Sequence, residues 1–435
     1  MEVCVQGLWH LGSVTAACLA SVGHDVIGLD TDPTTIDGLA QGKAPLFEPE
    51  LDALIQAGIA AKNLRFLASP ADAVAGAAVL WVAFDTPVDE EDQADVEFVH
   101  TQIKEILPLL AEGAVVLVSS QMPVGSIRKL ENFARLSLPN KRLGFACFPE
   151  NLRLGKAIDV FLKPDRIVVG VSNPESRATL ERLLLPITDK IEWMSIESAE
   201  MTKHAINSFL ATSVTFANEI AAICELVGAD AKEVERGLKT EARIGPKAYL
   251  SPGAPFSGGT LARDIEFLGM ASRAKNLVTP LLSSVRPSND EHKNWVRRKL
   301  LAEFGKLKGV TVAIWGLTYK PDTDTLRRSL AVELCDWLLE QGAFVHVHDP
   351  AVQHLPERWV GRVFSHKMAL GAITEADVLV IGTECPEFRK KASELASVAK
   401  PYLMVIDANR HLQVALASSD LNYVAVGMPS SKRDK

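Results

Sequence analysis

Apolar and polar positions follow two rhythms along the first part of the chain. Short β-branched runs at Glu2–Gln6, Asp25–Leu29, Val79–Ala83, Ala114–Val118 and Leu143–Cys147 predict strands. Between them, Leu11–Val22 and Val96–Leu110 carry apolar residues at helical spacing. Strands alternating with helices make βαβ units, and so a mostly parallel sheet. The rhythm changes near Ile196. From Glu197 to Val227 an apolar-periodic stretch without Gly or Pro predicts one helix longer than globular helices usually run. Helical pattern continues at Ala231–Leu238, Leu261–Arg273 and Leu281–Phe304. Alternation then returns, with strands predicted at Val310–Trp315, Phe344–His348, Val378–Ile381 and Leu403–Ile406 and a helix at Leu330–Gln341.

A chain of 435 residues is too long for one hydrophobic core. The pattern therefore predicts an α/β protein with two Rossmann-like, doubly wound domains joined by a long central helix and a helical middle domain. The expected divisions are 1–195, 196–300 and 301–428, with a disordered tail at 429–435. With 47% hydrophobic and 23% charged residues, the composition is that of an ordinary soluble globular protein. A net charge of −8 argues against a basic nucleic-acid footprint. Apolar runs such as Ala77–Ala83 are strand length and short of a membrane span, and no basic stretch with a cleavage site opens the chain. The expectation is a cytoplasmic protein with neither a membrane nor a nucleic-acid partner. None of the six cysteines forms a C-x-x-C pair, so no structural metal is expected.

The run Val3 to Gly12 ends a strand and opens a helix, and Asp30 closes the second strand. Gly7 and Gly12 match the outer glycines of G-x-G-x-x-G, and the acidic Asp30 suits a ribose hydroxyl and disfavours a 2′-phosphate. The expected cofactor is NAD. Trp9 stands where the middle glycine normally lets the backbone approach the pyrophosphate, so its ring must turn away or shift the cofactor.

Four later segments concentrate polar groups: Phe148–Gly155, Glu200–Asn207, Pro252–Asp264 and Gly316–Arg327. Lys203 and Asn207 share one face of a helix; the bland reading is a surface strip. Together with Pro45–Pro49, Asp85-Thr86-Pro87 and Pro164-Asp165-Arg166, these segments resemble the UDP-glucose/GDP-mannose dehydrogenase family over about Met1 to Met428. The resemblance implies two successive hydride transfers, from a sugar alcohol to the aldehyde and then, through a cysteine thioester, to a uronic acid. It implies that Lys203, Asn207 and Asp264 serve alcohol oxidation and hold oxyanionic intermediates. A cation and an amide suit a developing alkoxide, and a carboxylate can relay its proton. It also implies that Gly7, Trp9, Leu11, Gly12, Asp30, Thr86, Gln121 and Arg327 face the cofactor. Glu150, Leu152, Lys203, Asn207, Tyr249, Phe256, Gly259 and Lys320 would face a nucleotide sugar, by default a UDP-sugar. Arg243 resembles an arginine offered across a homodimer interface.

The family's Gly-Gly-x-Cys-x-x-Lys-Asp pattern is altered here. Ser257 replaces a glycine beside Gly258, Thr260 stands in the nucleophile's place and Arg263 replaces the lysine. A threonine hydroxyl needs an adjacent base to become nucleophilic, whereas a cysteine is partly thiolate at neutral pH. Cys147 is the other candidate nucleophile, though buried packing at a strand end is the bland reading of it. Leu154 replaces a glutamate, and Gln121 a threonine, that assist water in the second half-reaction. The groups for the first oxidation are kept and three for the second are changed. The leading expectation is one hydride transfer, with the hydride either released on NADH or returned to the sugar as in an epimerase. The alternatives are a uronic-acid-forming dehydrogenase working without the cysteine, and an inactive nucleotide-sugar-binding regulator.

Overall fold

The computed structural model describes residues 1–87, 94–257, 259–321 and 323–429. Gly258, Asp322 and, from residue 430 on, the expected disordered tail lie outside them. The chain divides into two compact units, Met1–Ile206 and Asn207–Lys435.

The first unit is built on strands β1 (Glu2–Gln6), β2 (Asp25–Leu29), β3 (Leu64–Leu67), β4 (Val79–Val82), β5 (Val115–Val118), β6 (Gly144–Cys147), β7 (Ile167–Val171) and β8 (Ile191–Met194). They form one sheet in the order β3-β2-β1-β4-β5-β6-β7-β8. Every pairing is parallel except β6 with β7, where Cys147 faces Gly170. The inner strands β1, β4, β5 and β6 are buried almost throughout, because helices cover both faces of the sheet. One apolar layer gathers Val5, Trp81 and Leu117, and the other Cys4, Leu80 and Val116, as the strand period of two requires. The chain reverses direction across the sheet between β1 and β4, which opens a crevice at their carboxyl ends.

The second unit carries β9 (Thr311–Trp315), β10 (Phe344–His348), β11 (Val363–Ser365), β12 (Val378–Ile381), β13 (Met404–Ile406) and β14 (Asn422–Val424). This all-parallel sheet runs β11-β10-β9-β12-β13-β14, with its switch point between β9 and β12. Ahead of it lie the helices Ala231–Thr240, Thr260–Ala274, Pro280–Lys293 and Trp295–Phe304. The pattern at Leu281–Phe304 predicts one helix, but the chain makes two, parted at Asn294. Apolar spacing continues through the break, so periodicity alone does not reveal it.

A single helix, Ile196–Val227, runs through the division between the units. It is long and apolar enough to cross a membrane by length and composition, which the strand-length runs elsewhere do not suggest. Its polar groups are those of a protein interior. Glu200, His204 and Asn207 are all buried and hydrogen-bonded to protein atoms.

Candidate functional site

The crevice between β1 and β4 is lined by the turn that follows β1. Gly7 sits at φ +88°, and a Cβ there would stand 2.6 Å from the Phe84 ring. Gly12 packs against the same turn so closely that a Cβ would lie 1.8 Å from the Gly7 carbonyl oxygen. The Asp30 carboxylate clasps this turn from the end of β2, accepting from the Leu8 amide at 2.7 Å and the Asp32 amide at 3.0 Å. The helix that opens here, His10–Ser21, has Trp9 as its N-cap and no side-chain cap. Its first-turn amides therefore point outward without intrahelical partners, as a phosphate site requires. Trp9 adopts φ −69°, a conformation open to any residue, and its side chain is half exposed. Leu11 turns inward and is buried. Beside Asp30 lies a cleft of about 450 Å³ lined in part by Gln6, Leu29, Phe84 and Gln102. The cradle of two glycines, the uncapped helix and the acidic residue together fit a dinucleotide, with Trp9 at its rim.

On the far side of β4, the buried Thr86 donates to the Gln121 carbonyl at 2.7 Å. Gln121 lines a second cleft in this unit, about 370 Å³, together with Ser120, Cys147, Glu150, Glu200 and Lys203. Lys203 reaches it from the long helix, donating to the Glu150 carbonyl at 2.7 Å and to Asn151 Oδ1 at 3.3 Å. The Glu150 carboxylate accepts from the Leu152 amide at 2.5 Å, and Leu152 rests on the apolar layer beneath. Two groups not expected here complete the wall. Glu200 accepts from the amides of Gly125 and Ile127 at 2.6 and 3.1 Å, and His204 bonds the Met122 carbonyl at 3.0 Å. Burial pushes the Glu200 carboxyl above its usual range against the pull of those two amides. The signal was the i, i+4 spacing of Glu200 and His204 on the helix that carries Lys203.

In the second unit Asn207 donates to Asp264, and both are buried. Asp264 sits one turn into the helix Thr260–Ala274, with Thr260 exposed at its first position and Gly259 as its N-cap. The backbone of Phe256 is held by both polar atoms of Asn289, at 2.9 and 3.0 Å. Tyr249 is exposed, and Arg243 projects outward while bonding Glu241 at 2.9 Å. Past β9, Gly316 at φ +89° opens a turn whose Leu317 and Thr318 amides donate to Asp349 at 2.6 and 3.2 Å. This repeats the Gly7–Asp30 arrangement, a likeness absent from the residue reading. The Lys320 ammonium lies 5.6 Å from the Tyr319 ring, and Arg327 is exposed further along the same run.

The remaining candidate nucleophile is Cys147. It borders the cleft but is buried, and burial raises its thiol well above the ordinary value. Burial of this kind disfavours the thiolate and leaves the side chain packing as a small hydrophobe.

Three stretches of the chain match, in order, the NAD binding domain (residues 1–188), the central domain (197–291) and the UDP binding domain (313–413) of one family. The chain belongs to the UDP-glucose/GDP-mannose dehydrogenase family. It is 32% identical to the UDP-glucose 6-dehydrogenase of Pseudomonas aeruginosa, over 99% of this chain and 98% of that one. It is 34% identical to the UDP-glucose 6-dehydrogenase of Rhizobium meliloti, over 99% of this chain and all of that one. Among solved structures it is similar to a UDP-glucose dehydrogenase from the hyperthermophilic archaeon Pyrobaculum islandicum, with a TM-score of 0.87, 26% identity and 98% of each chain covered. Membership makes this protein an NAD-dependent oxidoreductase of the nucleotide-sugar dehydrogenase type, acting on a CH–OH group. The Gly7–Asp30 cradle is where its residues fit that cofactor.

Proposed function

We propose that the protein oxidises a nucleotide sugar, by default a UDP-sugar, through one hydride transfer instead of two. The observation that carries this reading is the nucleophile position. Thr260 stands exposed there, and the substitute thiol that the sequence offers, Cys147, is buried, with its thiol pushed up by that burial. Without a thiolate there is no thioester, and the second oxidation loses its route.

NAD, when bound, accepts the hydride that leaves the sugar carbon. The rest falls to this chain's own groups. Lys203 and Asn207, one turn apart on one helix, donate to the alcohol oxygen as negative charge develops on it. Asp264, held by Asn207, relays the hydroxyl proton directly or through water. The family resemblance assigns Gly7, Trp9, Leu11, Gly12, Asp30, Thr86, Gln121 and Arg327 to the cofactor. The same resemblance assigns Glu150, Leu152, Phe256, Gly259, Tyr249 and Lys320 to the sugar nucleotide. The carbonyl product is either released with NADH or reduced again from the other face, which would make the enzyme an epimerase.

The assembly we propose is a homodimer. Phe209, Phe216 and Ile223 recur every seven residues on the long helix and are exposed, with Leu226 beyond them. An exposed apolar stripe of this regularity suits a helix seam, and the outward Arg243 suits a partner's site.

The relatives named UDP-glucose 6-dehydrogenase support a second reading, uronic-acid formation without the cysteine. The test is NADH formed per nucleotide sugar consumed across a panel of UDP- and GDP-sugars, with products weighed by mass spectrometry. One NADH with a carbonyl product, or none with an isomerised sugar, supports a single transfer. Two NADH and an acid refute it, and binding without chemistry would make the protein a regulator.

A further inference from the structure

The loop Glu150–Ala157 is anchored at both ends. Lys203 holds the Glu150 carbonyl and Asn151 at one end. At the other, the amides of Gly155 and Ala157 each donate at 2.8 Å to the carboxylate of Glu48. That carboxylate comes from a distant loop, Pro45–Pro49, and its side chain is 1% exposed. Its third partner is Nε2 of His10, at 2.8 Å. Because Gly155, Ala157 and His10 all face one carboxylate, the His10 ring must carry its proton on Nε2 and donate. His10 is the first residue of the helix whose uncapped amides form the dinucleotide cradle. One buried carboxylate therefore ties the start of that helix to the loop carrying Glu150 and Leu152.

We propose that His10 is a positioning residue that couples dinucleotide binding to the order of the Glu150–Ala157 loop through the Glu48 carboxylate. A pyrophosphate bound at the helix start restrains the backbone of His10, and so the direction in which its ring donates. Fixing that donor fixes Glu48, and Glu48 fixes two amides of the loop. The chain of contacts is short and almost dry. A buried carboxylate that loses one of its donors keeps its desolvation cost, so the remaining two bonds loosen with it. Cofactor binding thereby prepares the segment that meets the sugar nucleotide. The inference rests on the dinucleotide site assigned above.

Hydrogen–deuterium exchange across Glu150–Ala157, with and without NAD, tests it in the full chain. Wild type is expected to show slower exchange when NAD is bound. His10→Gln places an amide donor where Nε2 now lies and is expected to keep that protection. His10→Asn places its donor at the other ring position, leaves Glu48 unreached, and is expected to lose the protection while still binding NAD. Nucleotide-sugar affinity measured with and without NAD should follow the same order, with the enhancement by NAD falling toward one in His10→Asn. Equal protection in His10→Asn and wild type, or loss in His10→Gln as deep as in His10→Asn, overturns the coupling alone. Wild type that binds NAD without protecting the loop also overturns it. Wild type that binds no NAD overturns the site assignment together with the coupling.

Discussion

Replacing Lys203 with Ala tests the heart of the proposed chemistry. Its ammonium makes two hydrogen bonds to the Glu150–Asn151 segment, at 2.7 and 3.3 Å, and lines the cleft with Glu150 and Gln121. Removing one prepositioned donor from a developing oxyanion costs about 3–4 kcal/mol, or roughly 100- to 1,000-fold in rate. The structural loss is smaller. A charged hydrogen bond on a half-buried side chain contributes about 1.5–3 kcal/mol before solvent screening, and water can replace it here. Lys203→Ala should therefore melt within a few degrees of wild type but form NADH at least about 100-fold more slowly in a single turnover at saturating substrates. NAD affinity, followed by protein fluorescence, should be nearly unchanged. Lys203→Arg, which keeps the charge but cannot give up a proton, should recover part of the rate. A Lys203→Ala rate within about threefold of wild type would refute the reasoning, because no oxyanion donor worth the name is lost so cheaply.

Thr260→Ala should keep most of the activity, since the hydroxyl has no assigned chemical role; a loss as deep as that of Lys203→Ala in the same assay would give it one. Gly12→Ala puts a methyl 1.8 Å from the Gly7 carbonyl oxygen, so the turn must move; a destabilisation of about 1–3 kcal/mol and loss of NAD binding are expected by thermal melting and titration. In the second unit, burial would raise the Glu235 carboxyl, but Lys239, Ser251 and Lys232 outweigh it and hold it at about 2 against an ordinary 4.5. Its stabilisation is complete above the ordinary value and is lost as pH falls toward 2, worth at most about 3 kcal/mol and less where Lys232 is exposed to screening. The stability gap between wild type and Glu235→Gln in urea titrations should accordingly shrink as the pH is lowered below 4.5; a gap that stays constant would refute it.

The pattern of residues by itself was enough for the α/β class, the two sheets and the family. Inner strands such as β1, β4 and β9 are short β-branched runs, and the stretch Glu197–Val227 has no residue that would stop a helix. These are local properties, set by side-chain branching and period, and they survive in any window of the chain. The cofactor was legible too, because glycines and an acidic residue at fixed offsets answer a local geometric need. Edge strands escaped, β8 among them, and so did the inner strand β7. Leu64–Leu67 is short with one exposed charge, while Val363–Ser365 and Asn422–Val424 are three-residue edges whose order comes from the neighbour they pair with. The break at Asn294 escaped for the converse reason, since packing bends a chain whose apolar period continues unbroken.

Only the tertiary structure decided how polar groups far apart in sequence are paired. The resemblance singles out Asp264 as a site residue, but nothing in the local pattern shows that it is buried, with Asn207 offsetting its desolvation. Cys147 could be a nucleophile in the sequence and is a buried thiol in the fold. His10, Glu48, Gly155 and Ala157 come from three separate segments and meet at one dry carboxylate. No local period encodes such a meeting, because a buried charge finds its donors only once the sheet and its loops have closed around it.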